Sequence, residues 1–258
     1  MLSKNKIKLI QSLDSKKIRL ETGLFIIEGD KMVAEIMNSA FSIDSLLATS
    51  AWFEKHNTSN LAKCKDVAVV TQEELIRCSF LKSPQQALCL VRIPQYTLEP
   101  DSFRNNLSLL LDTVQDPGNL GTIIRIADWF GIGQIVCTPQ TADAYNPKVV
   151  QSTMGAIARV KIFYQPMQEV LPLLKSQNIP IYGTALDGEN IYTTSLKPEG
   201  CILMGNESKG INPLFTPYLS HKLFIPFFPP GHQHSESLNV SIATGIICAE
   251  FRRQQQFS

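Results

Sequence analysis

Three short stretches carry the residue types that could do chemistry on a polar substrate. The first, QDPGNLGTIIRIADWFG (115–131), sets Arg125 inside a run of isoleucines just after a turn of proline, glycine and asparagine. At about 100° per residue, a helix over 120–130 gathers Leu120, Ile123, Ile126, Ala127 and Phe130 on one side and Gly121, Arg125 and Asp128 on the other. Asn119 stands where an N-cap belongs, and Gly131 is a plausible stop. Gly121 costs about 1 kcal/mol of helix propensity relative to alanine, and its missing side chain would let a ligand approach the arginine. The alternative is an i,i+3 surface pair between Arg125 and Asp128, with Gly121 serving tight packing.

The second stretch, CILMGNESKGI (201–211), is a short apolar strand followed by Gly205, Asn206 and Glu207. A glycine there would let a flat ligand lie against the backbone, and the carboxylate could hold a hydroxyl or a cation. A phosphate loop is excluded, because Ile211 follows Gly210 where lysine and a hydroxyl residue are required. The third, FIPFFPPGHQHSESLNVSIATGIICAEFRRQ (224–254), passes from a strand through a proline-rich loop to Ser237 and Asn239, which open an apolar helix. Ser235, Ser237 and Asn239 could simply cap it. His232 and His234 form an H-x-H without further histidine or cysteine nearby, so no metal site is expected. The segment GIG (131–133) lacks the third glycine of a dinucleotide fingerprint, and Ser237 has no nucleophile elbow around it.

These stretches need elements to hold them. Apolar runs at 107–111, 134–137, 160–163, 179–183, 201–204 and 223–226 read as buried strands with helical patterns between most of them. Such alternation predicts an α/β fold, a mostly parallel sheet with helices on both faces, and places ligands at the carboxyl ends of its strands. Two prolines and a polar cluster in VRIPQYTLEPDSFRNN (91–106) mark a boundary. The expected organisation is a small α/β domain over 1–95, a linker over 96–106 and a larger domain over 107–258. In the first, LFIIEG (24–29) and VAVV (67–70) read as strands and KMVAEIMNSA (31–40) as helical.

A chain of 258 residues with 44% hydrophobic content can bury such cores. No apolar run is long enough for a membrane span or a secretory signal, and a cytoplasmic location is expected. The six scattered cysteines read as small core residues. A net charge of +1 argues against a polycationic nucleic-acid wrapper but leaves room for a local patch, such as Lys4, Lys6, Lys8, Lys16, Lys17 and Arg19. A solvated first helix explains those residues equally well.

In this order the three stretches resemble the motifs of the SpoU (TrmH-type) RNA ribose 2′-O-methyltransferases. The first motif is similar to Asp116, Pro117, Asn119, Gly121 and Arg125; the second to Gly205, Asn206, Glu207 and Gly210; the third to Ile225, Pro226 and the run Ser237 to Ala243. NPKVVQSTMGA, with Thr153, Gly155 and Ala156, resembles a further family segment, and LFIIEGDKMVAEIM looks like a ribosomal-protein-like RNA-binding domain. Residues 108–254 carry the main likeness.

The resemblance implies a deep trefoil knot, a homodimer completing the site at its interface, and S-adenosylmethionine as methyl donor, held near Thr184, Gly205, Ile225 and Leu238. It implies RNA as substrate, ribosomal in preference to transfer RNA, with Arg125, Asn119, Glu207, Ser237 and Asn239 around the reacting hydroxyl. The competing expectations are a catalytically inactive assembly factor of the same fold and a base-modifying methyltransferase. The sequence departs from the family in a longer loop at 227–236 and in Ser208, where glycine is common.

Overall fold

The computed structural model describes residues 2–56, 60–228 and 237–256. In chain order the elements are α1 (Lys4–Ser12), α2 (Lys16–Thr22), β1 (Leu24–Glu28), α3 (Asp30–Met37), β2 (Ile43–Ala48), α4 (Ser50–Lys55), β3 (Cys64–Val69), α5 (Gln72–Cys78), β4 (Ala87–Arg92), β5 (Leu107–Leu111), α6 (Pro117–Trp129), β6 (Gln134–Cys137), α7 (Pro147–Thr153), β7 (Lys161–Tyr164), α8 (Met167–Ser176), β8 (Ile181–Asn190), β9 (Gly200–Met204), β10 (His221–Phe224) and α9 (Val240–Gln256). They make two compact units. One takes in the chain up to Gln95 together with Asp143–Ala158, the other Tyr96–Ala142 together with the chain from Arg159 onward.

The first unit is built on a mixed sheet in the order β1-β4-β2-β3, with β4 antiparallel to both neighbours and β3 parallel to β2. Ile10 and Leu13 of the first helices pack with Ile26, Leu47, Leu75 and Leu90 beneath it. Residues 143–158, which alternation alone assigns to the larger domain, group with this unit instead. The reason is local. Tyr145 packs at a tilt against Phe25 with ring centroids 4.9 Å apart, and Arg19 donates to Asp143 at 2.6 Å and to the carbonyls of Leu13 and Asp14. Arg19 is only 1% exposed, so it leaves the basic patch the sequence suggested. Lys6 leaves it too, half-buried and donating to Ser45 beside Asp66. The exposed members are Lys4, Lys8, Lys16 and Lys17.

The second unit holds a six-stranded sheet in the order β10-β8-β9-β5-β6-β7, parallel at every pairing. Near-continuous apolar strands such as LSLLL and GCILM suit a sheet covered on both faces. β6 and β7 extend the sheet to one side of β5, whereas β9, β8 and β10 lie on the other, so the order reverses between β5 and β9. In an open α/β sheet that reversal opens a crevice for ligands. β10 ends at Phe224, short of the expected 223–226; Pro226 has no N–H to give a ladder.

Helix α6 begins three residues before the expected start. Asp116, not Asn119, is its N-cap, accepting from the backbone N–H of Asn119 at 2.8 Å, with Pro117 in the first turn. This frees the Asn119 side chain. Leu120, Gly121, Ile123, Ile124 and Ala127 are buried, because α6 is covered by α9 as well as by the sheet. Gly121 is therefore not part of a bare face with Arg125, as the wheel suggested; Arg125 is exposed alongside Thr122 and Trp129. Gly131 ends the helix in the left-handed region as expected, at φ 65°. Five of the six cysteines are buried, and burial pushes the Cys248 thiol up to about 12. Among the described residues no helix is long and apolar enough to cross a membrane.

Candidate active site

β5 and β9 are paired up to Leu111 and Met204, and the segments leaving the two strands are tied to each other. Asp112, directly after β5 and nearly buried, accepts from the Thr113 hydroxyl at 3.0 Å and from the backbone N–H of Asn212 at 2.9 Å. Asn206, after β9, donates to the carbonyl of Thr113 at 2.8 Å. Its own turn is closed by paired backbone bonds to Gly210, both 2.9 Å, and its Oδ1 accepts from the N–H groups of Ser208 and Lys209. Glu207 is thereby held at the tip of a fixed turn. A Cβ on Gly205 would lie 2.3 Å from the backbone of Gly210 and Ile211, so the room left by its missing side chain is filled by the chain's own turn.

Three side chains from the three motifs meet here. Asn119 Nδ2 donates to Glu207 Oε1 at 3.1 Å, and Asn239 Nδ2 donates to Asn119 Oδ1 at 2.9 Å. Asn239 Oδ1 accepts from the N–H and hydroxyl of Ser241 and from the N–H of Ile242, opening α9. Both amide orientations are fixed by chemistry: a carboxylate only accepts and a backbone N–H only donates, so each amide presents one end to a unique partner. Asn239 is a helix cap and a member of the polar chain at once.

Arg125 is not in this chain of bonds. It is exposed and pairs with no carboxylate among the described residues. The surface pair with Asp128 that the sequence allowed is not formed, since Arg159 binds Asp128 through Nε at 2.7 Å and Nη2 at 2.8 Å.

Thr184 is half-buried where β8 leaves its ladder with β9, whose last pair is Gly183 with Leu203. Ile225 is half-buried just after β10, and Ser237 and Leu238 are exposed just before α9. Because β10, β8 and β9 are adjacent and parallel, Thr184, Gly205 and Ile225 stand at one edge of the sheet. His232, His234 and Ser235 lie outside the described residues. Thr153 belongs to the first unit, buried, with its hydroxyl donated to the carbonyl of Val150 at 2.7 Å. Asp112 and Thr113 were not among the residues expected from the sequence. A carboxylate directly after the buried run LSLLL was the available signal.

Residues 106–249, more than half of the chain, match the family model described as the SpoU rRNA Methylase family. The chain belongs to that family. Residues 4–89 match an MRM3-like substrate binding domain. This SpoU family member is 29% identical over 248 residues, 96% of each chain, to the 23S rRNA (guanosine(2553)-2′-O)-methyltransferase RlmP of Bacillus subtilis. A solved TrmH-family protein from Porphyromonas gingivalis is 36% identical, covers 98% of this chain and 99% of its own, and superposes with a TM-score of 0.87. The AdoMet-bound rRNA methyltransferase of Sinorhizobium meliloti is 27% identical, with coverage of 98% and 96% and a TM-score of 0.83.

Proposed function

We propose that this family member transfers a methyl group from S-adenosylmethionine to a ribose 2′-hydroxyl of ribosomal RNA. The carrying observation is the bonded chain Glu207, Asn119, Asn239, which draws all three motifs to the point where the strand order reverses. The activity named for the Bacillus subtilis relative and the donor held by the Sinorhizobium meliloti protein support the substrate and the cofactor.

Thr184, Gly205, Ile225 and Leu238 suit the donor. Gly205 and Ile225 directly follow β9 and β10, Thr184 lies in β8 just past its last pair with β9, where peptide groups can meet a nucleoside, and Ile225 and Leu238 offer apolar surface. When bound, S-adenosylmethionine supplies an activated methyl carbon on a sulfonium. Arg125, exposed and uncommitted, orients the ribose hydroxyl and clamps the adjoining phosphate through its donor fork. A guanidinium stays protonated in a protein, so it is no base, and the hydroxyl proton leaves to phosphate or solvent. Asn119, Glu207, Ser237 and Asn239 form the polar surround that fixes the line of attack.

Residues 1–95 are assigned to reading RNA shape, with Lys4, Lys8, Lys16 and Lys17 as exposed cations. A homodimer belongs to the same proposal. Trp129 is 83% exposed on α6 and Ile242 57% exposed on α9, two apolar side chains on helices that pack on each other and that a second copy would cover. Light scattering in solution tests it. The trefoil knot stays within the proposal, supported by membership of the family.

The deciding experiment incubates the protein with labelled donor and ribosomal RNA lacking the modification, then digests the RNA to nucleosides. Label on ribose is expected. Label on a base, label on transfer RNA alone, or no label together with no donor binding would overturn the assignment in favour of the base-modifying, transfer-RNA or inactive alternative.

A further inference from the structure

Asp128 sits three residues after Arg125 on α6, where i,i+3 side chains are neighbours. Left alone, its carboxylate is the nearest sequence partner for the Arg125 guanidinium, and it would also repel an RNA phosphate brought to that arginine. In the folded chain the Arg125 to Asp128 pair is not formed. Arg159, which comes after the 143–158 segment and precedes β7, takes both oxygens of Asp128 at 2.7 and 2.8 Å. The planar fork matches the carboxylate edge, so both acceptors are satisfied from one side. Arg125 is left exposed and unpaired with any carboxylate among the described residues.

Resting on the role given to Arg125 above, we infer that Arg159 is a positioning residue for methyl transfer: it sequesters Asp128 so that Arg125 stays available to phosphate. Arg159 touches no reacting atom in this scheme. It acts by removing a competitor.

The test is a rescue. Arg159→Gln frees Asp128, and a competing exposed pair of the usual strength lowers kcat/KM for RNA roughly two- to fivefold. Asp128→Asn alone stays near the wild-type rate. The double variant Asp128→Asn/Arg159→Gln regains the lost activity, because the competitor is gone even though the pair is still broken. A merely structural role for the Arg159 to Asp128 pair gives the opposite pattern, with the double variant no better than Arg159→Gln. That pattern, or an Arg159→Gln enzyme at the wild-type rate, overturns the inference. Should Arg159→Gln fail to fold by thermal unfolding, Arg159→Lys, which gives up one of the two contacts, is read in the same way with and without Asp128→Asn. The same series includes Arg125→Ala. If that variant keeps the wild-type rate, the role of Arg125 falls; if it loses activity while the rescue fails, only the role of Arg159 falls.

Discussion

Arg159 holds Asp128 by both carboxylate oxygens, at 2.7 and 2.8 Å, and so disposes of the one acid placed to neutralise Arg125 from within α6. Arg125 thus stands exposed without a carboxylate partner among the described residues, while Asn119 on the same helix is bonded on both sides of its amide.

Arg125→Lys is the direct test of the clamp. Lysine keeps the charge but replaces a planar bidentate fork with a point charge, so the hydroxyl is held less exactly in line. A small misplacement of reacting groups can cost about a hundredfold in rate. Single-turnover methyl transfer is expected to fall by that order, with donor affinity measured by titration unchanged. A lysine variant at near wild-type rate would remove the bidentate requirement.

Asn119→Asp sets a carboxylate against Glu207, where an amide now donates at 3.1 Å. Losing the bond and adding a like charge is expected to lower stability by about 1 kcal/mol. Adding Glu207→Gln reverses the polarity of the contact, with the new amide donating to the new carboxylate, while Asn239 can still donate to position 119. Thermal unfolding should therefore show the double variant more stable than Asn119→Asp alone; equal values would mean that the contact contributes nothing.

How far the sequence led depends on the residue. The parallel sheet was legible because β5, β6 and β9 are short apolar runs separated by helical patterns. The start of α6 is ambiguous in the sequence because Asn119 and Asp116 are both good caps, and only the proline after Asp116 decides between them. A helical wheel puts Gly121 on the exposed face because it assumes one buried side, whereas α6 is covered by two partners. The return of 143–158 to the first unit was invisible, since Arg19 and Asp143 are far apart in sequence and each looks like a surface charge. The joining of Asn119, Glu207 and Asn239 followed from family resemblance alone, because no periodicity records a long-range amide contact.

Gly205 and Gly210 separate two reasons for glycine. A Cβ at Gly205 would meet backbone at 2.3 Å, whereas at Gly210 nothing lies within 4 Å but φ is 68°. Gly205→Ala is therefore an overpacking change expected to cost about 1–3 kcal/mol, and Gly210→Ala a conformational one of about 1–2 kcal/mol. Urea unfolding of both variants measures the two costs. Gly205→Ala should also lose methyl transfer disproportionately, since the turn that must shift is the one carrying Glu207; an alanine at 205 with wild-type activity and stability would mean that the turn is not fixed.

Glu250 gives the second unit an acid-sensitive fastening. It is 4% exposed on α9 and accepts from Arg253 through two bonds of 2.7 Å and from Gln254 at 2.8 Å. Gln254 in turn accepts from the N–H of Leu196 and donates to the carbonyl of Thr194. The Arg253 guanidinium, ahead of the Gln254 amide, holds the Glu250 carboxyl below its ordinary range against the opposing effect of burial. A carboxyl with a lowered folded pKa stabilises the fold fully above its unfolded value, about 4.3 for glutamate, and loses that contribution as the pH falls through the folded value. Glu250→Gln should therefore be less stable than wild type at pH 7 and lose less of its stability between pH 5 and pH 2. Urea midpoints across that range measure it. If the two proteins lose stability in parallel, Glu250 is not a source of the acid sensitivity.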